Sequence, residues 1–267
     1  MKHDTLIKVK SKGGAGTVAD NQVEIKLIAL DMDGTLLTNN HEITEETRLA
    51  IKEAREKGVK VVLSTGRSYK NCHGHADALG LDSYLVTVNG SEIWDESRNL
   101  VKRTVMKPEY IEWMWGLAQQ YQTAFWAINT EETWRNDMPK DLYEAEWMKF
   151  GFNIADVEIR ETIYNKLKEK NEFEISNSAP DNIEVNCRGI NKARGLELVC
   201  GRLGIELKNV MAVGDSLNDM VMIKEAGIGV AMGNAQETLK KEADWITSSN
   251  EDDGVAKAIR KWVLTEA

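Results

Sequence analysis

The chain has 267 residues, 42% of them hydrophobic and 29% charged, which is enough apolar material for one large or two modest cores and excludes a wholly disordered chain. Its 34 basic against 43 acidic residues leave a formal charge of −9, which argues against a sequence-blind nucleic-acid binder, and no apolar run is long enough to span a membrane. Cys72, Cys187 and Cys200 are far apart and form no Cys-x-x-Cys pair, which points away from a disulfide scaffold or structural zinc and toward a reducing cytoplasm.

Residues 1–24 read as a flexible arm without a signal-peptide apolar stretch. Its glycines Gly13, Gly14 and Gly16 could cradle phosphate, but no strand leads into them, so a plain linker is the better reading. From Lys26 the pattern becomes periodic. Leu27-Ile28-Ala29-Leu30 is a short apolar run suited to a strand buried on both faces, and Asp31-Met32-Asp33-Gly34-Thr35 follows as a loop. Thr44 is placed to cap a helix whose first turn holds Glu45 and Glu46. That helix should bury Leu49, Ala50 and Ala54, with Ile51 close by, and stop at Gly58. Val59–Leu63 is the next buried strand, ending at Ser64-Thr65-Gly66-Arg67. Strand, helix and strand at this spacing predict a parallel sheet with right-handed crossovers.

Residues 107–189 lack this rhythm. They hold five of the eight tryptophans and all three prolines, which predicts a second domain inserted into a first one made of 25–106 and 190–267. The strand–helix alternation then returns: a helix over Lys192–Leu203 ending at Gly204, a strand Val210–Val213 leading to Gly214-Asp215, a helix around Met220–Glu225, a strand Ile228–Met232, a helix near Thr238 and a strand at Trp245–Thr247.

Ligands of an open parallel sheet bind outside the carboxyl ends of its strands, where Asp31, Asp33, Thr65, Asp215 and Asp219 fall. Carboxylates gathered there repel, by roughly 4 kcal/mol for a pair about 4 Å apart at an effective dielectric near 20. A divalent cation removes that penalty, an all-oxygen donor set favours Mg2+, and Lys192 at its helix start can add positive charge. Asp31–Glu42 also places acids as a calcium loop does, but Leu36 stands where such a loop needs glycine, and a strand precedes it.

These segments, Asp31-Met32-Asp33-Gly34-Thr35, Ser64-Thr65-Gly66-Arg67, Lys192 and Gly214-Asp215-Ser216-Leu217-Asn218-Asp219, resemble in order the four motifs of the haloacid dehalogenase superfamily. The large insert, preceded by Val88-Asn89-Gly90, is similar to that of the Cof-type phosphatases. The resemblance implies an α/β fold: a Rossmann-like, doubly wound parallel core with an inserted α/β cap. It implies a Mg2+-dependent phosphoric monoester hydrolase working through an aspartyl-phosphate. In that reading Asp31 resembles the nucleophile and Asp33 the acid and base. Thr65 is similar to the hydroxyl that bonds the phosphoryl group, and Lys192 to the cation that steadies it. The metal would be held by Asp31, Asp215, Asp219 and the main-chain carbonyl of Asp33. Backbone N–H groups from Met32 through Gly34 to Thr35 would cup the phosphate, with Gly66, Arg67 and Asn218 on the substrate side.

Blander readings stand beside some of these. Arg67 could be a surface ion pair, Asn218 a helix N-terminal turn, and Asn89-Gly90 a tight turn. His73 and His75 read as a solvated helix face. The insert's tryptophans read mainly as core filling; the sharper alternative is that one of them, or Tyr143, stacks on a flat ring of the substrate. By resemblance the partner is a small phosphorylated metabolite, a sugar phosphate or a riboflavin-pathway phosphate, with neither nucleic acid nor membrane involved. A phosphosugar mutase and a non-catalytic regulator that binds a phosphorylated ligand remain as alternatives. The sequence specifies no oligomeric state.

Overall fold

A computed structural model describes residues 23–265, so the expected arm lies almost wholly outside the described residues. The chain begins with β1 (Leu27–Leu30), α1 (Glu45–Glu56), β2 (Lys60–Ser64), α2 (His73–Ala78), β3 (Leu85–Thr87), β4 (Glu92–Trp94) and β5 (Leu100–Arg103). It continues through α3 (Pro108–Gln120), β6 (Ala124–Asn129), β7 (Thr133–Arg135), β8 (Trp147–Asn153), α4 (Val157–Lys170), β9 (Phe173–Ser176) and β10 (Asn182–Cys187). Last come α5 (Lys192–Leu203), β11 (Val210–Gly214), α6 (Met220–Glu225), β12 (Ile228–Ala231), α7 (Glu237–Glu242), β13 (Trp245–Ile246) and α8 (Gly254–Ile259).

The first sheet runs β13-β12-β11-β1-β2-β3-β4-β5. Its first six strands are parallel and β4 and β5 are added antiparallel. The continuous apolar runs make sense here, because every residue of β1, β11 and β12 is buried. β1 lies between β2, the next strand in the chain, and β11, which arrives much later. The strand order therefore reverses at β1, and the loops after β1 and β11 flank the crevice that such a reversal opens. Helix α1 packs on α8, and α5 on α6.

Thr44 caps α1 as expected, accepting from the Thr47 N–H at 3.3 Å. Leu49 is a correction. It is 39% exposed, and the buried stripe is Thr47, Ala50, Ile51 and Ala54. That stripe follows the helical three- and four-residue spacing from Thr47, which leaves Leu49 on the outer flank.

The second sheet, β7-β6-β8-β10-β9, is antiparallel throughout. Its strands alternate, apart from a bulge at Met148 where β8 passes β6. Phe125, Ala127, Phe150, Phe152, Ile183 and Val185 point to one face and form a core with Ile111 and Met114 of α3 and Ile163 and Leu167 of α4. The opposite face carries Trp126, Ile128, Lys149, Asn153 and Glu184, which line a cavity shared with Asp31 and Asp33. Period-two patterning thus sends the apolar set under the helices and the polar set toward the first sheet.

Candidate active site

The loop after β1 is folded tightly. The Asp31 N–H donates to Val213 of β11, and the Met32 carbonyl accepts from the N–H groups of Thr35 and Leu37 at 3.3 and 2.9 Å. Gly34 sits at φ +78°, and a Cβ there would lie 2.7 Å from Asp215 Oδ2. A side chain at this position would therefore strike the second acidic loop, which explains the glycine. Asp219 binds its own loop, its Oδ2 accepting from the N–H groups of Asp215 and Ser216 at 3.0 and 3.1 Å. Asp215 accepts from the hydroxyls of Thr35 and Ser216 at 2.9 and 2.7 Å.

Lys192 opens α5, whose N-cap Asn191 accepts from the Arg194 N–H. The Lys192 ammonium is fully buried and lies 2.6 Å from both Asp31 Oδ1 and Asp219 Oδ1. Asp31, Asp215 and Asp219 each bring an oxygen within 4.8 Å of the others. At about 5 Å and an effective dielectric near 20, each ionised pair repels by roughly 3 kcal/mol. Burial is the main force raising the Asp31 carboxyl well above its usual range; Lys192 opposes it, while Asp219 and Asp215 add to it. Burial, then the Asp219 charge, pushes Asp215 up to about 6. Burial disfavours the charge on Lys192, yet Asp219 and Asp31 outweigh it and keep the ammonium more basic than usual. Three carboxylates and one ammonium carry two net negative charges, with oxygen donors alone around them. A hard divalent cation fits that donor set and would offset the repulsion among the carboxylates.

The other expected residues are spread around this cluster. The carboxylate of Asp33 stands outside it, 52% exposed and bound by Arg67 through two contacts of 2.5 and 2.8 Å. Arg67 is therefore an ion pair with Asp33, at the mouth of the crevice rather than on a remote surface. Thr65 is buried, and its oxygen accepts from the Arg67 N–H at 3.2 Å, which leaves the hydroxyl proton to donate. Met32 is fully buried in the core. The Thr35 N–H is turned back onto Met32, so only the N–H groups from Met32 to Gly34 remain for the expected cup. Gly66 and Asn218 line the same cavity of ≈310 Å³ as Asp31 and Asp33.

Several residues on the far wall were not singled out from sequence. Lys149 and Glu184, both almost fully buried, pair at 2.8 Å. Glu184 also accepts from Ser178 Oγ at 2.9 Å and from Asn89 Nδ2 at 2.7 Å. Burial alone would raise the Glu184 carboxyl, but Lys149, Asn89 and Ser178 bring it down to about 2. Asn89 does have the positive φ of a tight turn, yet its side chain is buried and bridges the two sheets. The polar members of Asn182-Ile183-Glu184-Val185-Asn186 were visible as a period-two face. A larger cavity, ≈420 Å³, opens behind Asn89 and Asn218 between α4 and α6, and neither Asp31 nor Asp33 lines it. His73 stacks on Tyr69 at 4.9 Å and its Nδ1 meets the Tyr69 carbonyl, while burial and then Arg67 lower the His75 pKa. Among the described residues the carboxylate cluster is the one group spaced for a metal ion, and neither histidine belongs to it.

A reversed-order parallel sheet with acidic loops clasping a buried lysine is the arrangement of a class of enzymes, the hydrolases of haloacid dehalogenase type. The chain belongs to the haloacid dehalogenase-like hydrolases, whose family model matches residues 28–166 and 131–259. It is 53% identical over 248 residues to the 5-amino-6-(5-phospho-D-ribitylamino)uracil phosphatase YcsE of Bacillus subtilis, covering 93% of this chain and all of that one. It is 30% identical to the phosphatase YwpJ of the same organism, over 88% of this chain and 99% of the relative. Among solved structures, a haloalkanoate-superfamily phosphatase from Bacteroides thetaiotaomicron aligns with a TM-score of 0.79 at 27% identity, covering 94% of this chain and all of that one.

Proposed function

We propose that the protein is a Mg2+-dependent phosphatase that hydrolyses a phosphate monoester of a small metabolite through an aspartyl-phosphate at Asp31. The ester class is that of the ribitylaminouracil phosphate named for its 53%-identical relative. The observation that carries the reading is the buried Lys192 ammonium, 2.6 Å from Asp31 and Asp219, beside a third carboxylate.

In this mechanism an Asp31 oxygen attacks phosphorus as the P–O bond to the leaving alcohol breaks. Asp33, protonated, gives its proton to that alcohol. As a carboxylate it then removes a proton from the water that attacks phosphorus, releasing inorganic phosphate and regenerating Asp31. Asp33 is held by Arg67 in this structure, so the pair opens for the proton transfer, and the freed guanidinium is placed to meet substrate oxygens. Lys192 and the Thr65 hydroxyl neutralise and hold the transferring group. Mg2+, held by Asp31, Asp215, Asp219 and the Asp33 carbonyl, would supply charge neutralisation of the phosphoryl oxygens. No helix among the described residues is long and apolar enough to cross a membrane, and all three cysteines are unpaired, in keeping with a small-molecule enzyme of the cytoplasm.

The test is phosphate release from a panel of metabolite esters, with and without chelator. Release that needs Mg2+ supports the proposal; a rearranged ester in place of inorganic phosphate would establish the mutase alternative instead.

A further inference from the structure

The wall of the crevice opposite Asp31 contains a feature that the chemistry at phosphorus does not use. Glycine weakens a strand interior, yet Gly151 stands in the centre of β8, with β6 on one side and β10 on the other. It pairs with Trp126, and a Cβ on it would lie only 2.2 Å from two atoms of the indole's six-membered ring. The indole therefore lies over the Gly151 Cα, a position that any other residue there would deny it. Ile128 and Met148, with Val88 from the turn after β3, pack beside it. The rest of the half-buried ring lines the same ≈310 Å³ cavity as Asp31 and Asp33. Arg135, opposite Trp126 on β7, lines that cavity too, as do Thr133 and Asn153.

The other aromatic candidates face elsewhere. Trp147 is fully buried and donates to the Leu142 carbonyl, while Trp113, Trp115 and Trp134 pack on the second core. Tyr143 is 55% exposed and donates to Glu112. Trp126 alone of these six lines the crevice.

We infer that Trp126, seated on Gly151, is the specificity-determining platform on which a planar, carbonyl-bearing ring of the leaving group stacks, with Arg135 and Asn153 at the ring's edge. The indole is seated on Gly151 of the sheet while its side chain lines the cavity, so the platform is held in place before substrate arrives. A guanidinium supplies donors for ring carbonyls, and an amide supplies both a donor and an acceptor. This inference rests on the phosphatase reading and adds to it the residue that recognises the ring.

The test compares 5-amino-6-(5-phospho-D-ribitylamino)uracil with D-ribitol 5-phosphate, which keeps the polyol phosphate and lacks the ring. The readout is the ratio of kcat/KM for the first ester to that for the second. Trp126→Ala should lower this ratio at least about ten-fold, as loss of a stacking partner does, while turnover of the ring-less ester shows that the fold and the chemistry survive. Gly151→Ala should do the same by lifting the indole, and Trp126→Phe should keep most of the ratio. An unchanged ratio in both Trp126→Ala and Gly151→Ala overturns the platform and leaves the phosphatase reading intact. If wild type hydrolyses only ring-less esters, the ribitylaminouracil class and the platform fall together. Without phosphate release from any ester the phosphatase reading falls, and calorimetric binding of the dephosphorylated ribitylaminouracil still decides: about ten-fold weaker binding by Trp126→Ala supports the platform, equal binding overturns it.

Discussion

At Lys192 a buried ammonium holds two carboxylates at 2.6 Å, so removing it strands two charges instead of one. Lys192→Met should cost about 3–5 kcal/mol in the metal-free protein, as breaking buried pairs does, and lower kcat by at least ~10²-fold. Urea unfolding in chelator and steady-state kinetics check the two parts; wild-type stability would show that the carboxylates simply take up protons. Glu184 gives a pH signature. Burial works against its charge, but Lys149, Asn89 and Ser178 hold the carboxyl down to about 2, against 4.5 for an unperturbed glutamate. A depressed carboxyl stabilises the fold above its unfolded pKa, and that contribution, roughly 3 kcal/mol, is lost as pH falls from about 4.5 through 2. Thermal unfolding of wild type should therefore fall steeply over that acid range, and Glu184→Gln should be less stable at neutral pH with a shallower acid limb. Parallel limbs would contradict the assignment. That Asp31 and Asp215 come together was legible because both directly follow strands of a parallel sheet, and Lys192 was marked by its place at a helix start. Lys149 and Glu184 were not, because alternation in a strand reveals a polar face without revealing what that face meets, and water is the usual answer.

Among the elements, β1 and β11 announced themselves as unbroken apolar runs, and α1 by its Thr44 cap and acidic first turn. β3 to β5 gave no such signal. They are three or four residues long, Leu100 and Lys102 of β5 are exposed, and the β4–β5 turn is organised by a side chain, Asp95 accepting from the N–H groups of Ser97 and Asn99. The turn before β4 matters more for the site. Gly90 has φ +97°, and a Cβ there would lie 2.4 Å from the carbonyl oxygen of Asn191, the residue that caps α5 immediately before Lys192. Gly90→Ala should destabilise the protein by more than about 1 kcal/mol and also lower kcat, because the clash shifts the helix start that carries Lys192. Chemical unfolding and kinetics on one preparation read both; a stability loss with unchanged kcat would separate the turn from Lys192.

Over the whole molecule, two sheets meet through polar contacts. The Ser216 hydroxyl, whose one proton is shared between Asp215 and the Ser178 carbonyl, lies 2.9 Å from the latter; the Asn218 N–H donates to the Asn177 carbonyl, and Asn89 to Glu184. The break in rhythm over residues 107–189 was legible in the clustering of tryptophan and proline, and the second sheet is built from strands within it. Which face of the second sheet turns toward the crevice was not, because that depends on the packing of α3 and α4 against the apolar side. Chelation should abolish turnover reversibly, and added Mg2+ should raise the melting temperature of wild type, since a ligand that binds only the folded state stabilises it. In Asp31→Asn turnover should vanish while the melting temperature in chelator stays at or above that of wild type, because one of the three mutually repelling carboxylates is gone. The most direct test of the account is to quench the enzyme during turnover with borohydride, which reduces an acyl phosphate to an alcohol, and to map the product by mass spectrometry. The account predicts substrate-dependent conversion of Asp31 to homoserine. Steady phosphate release with residue 31 unmodified, or with the modification on Asp33 or Asp215, would contradict it.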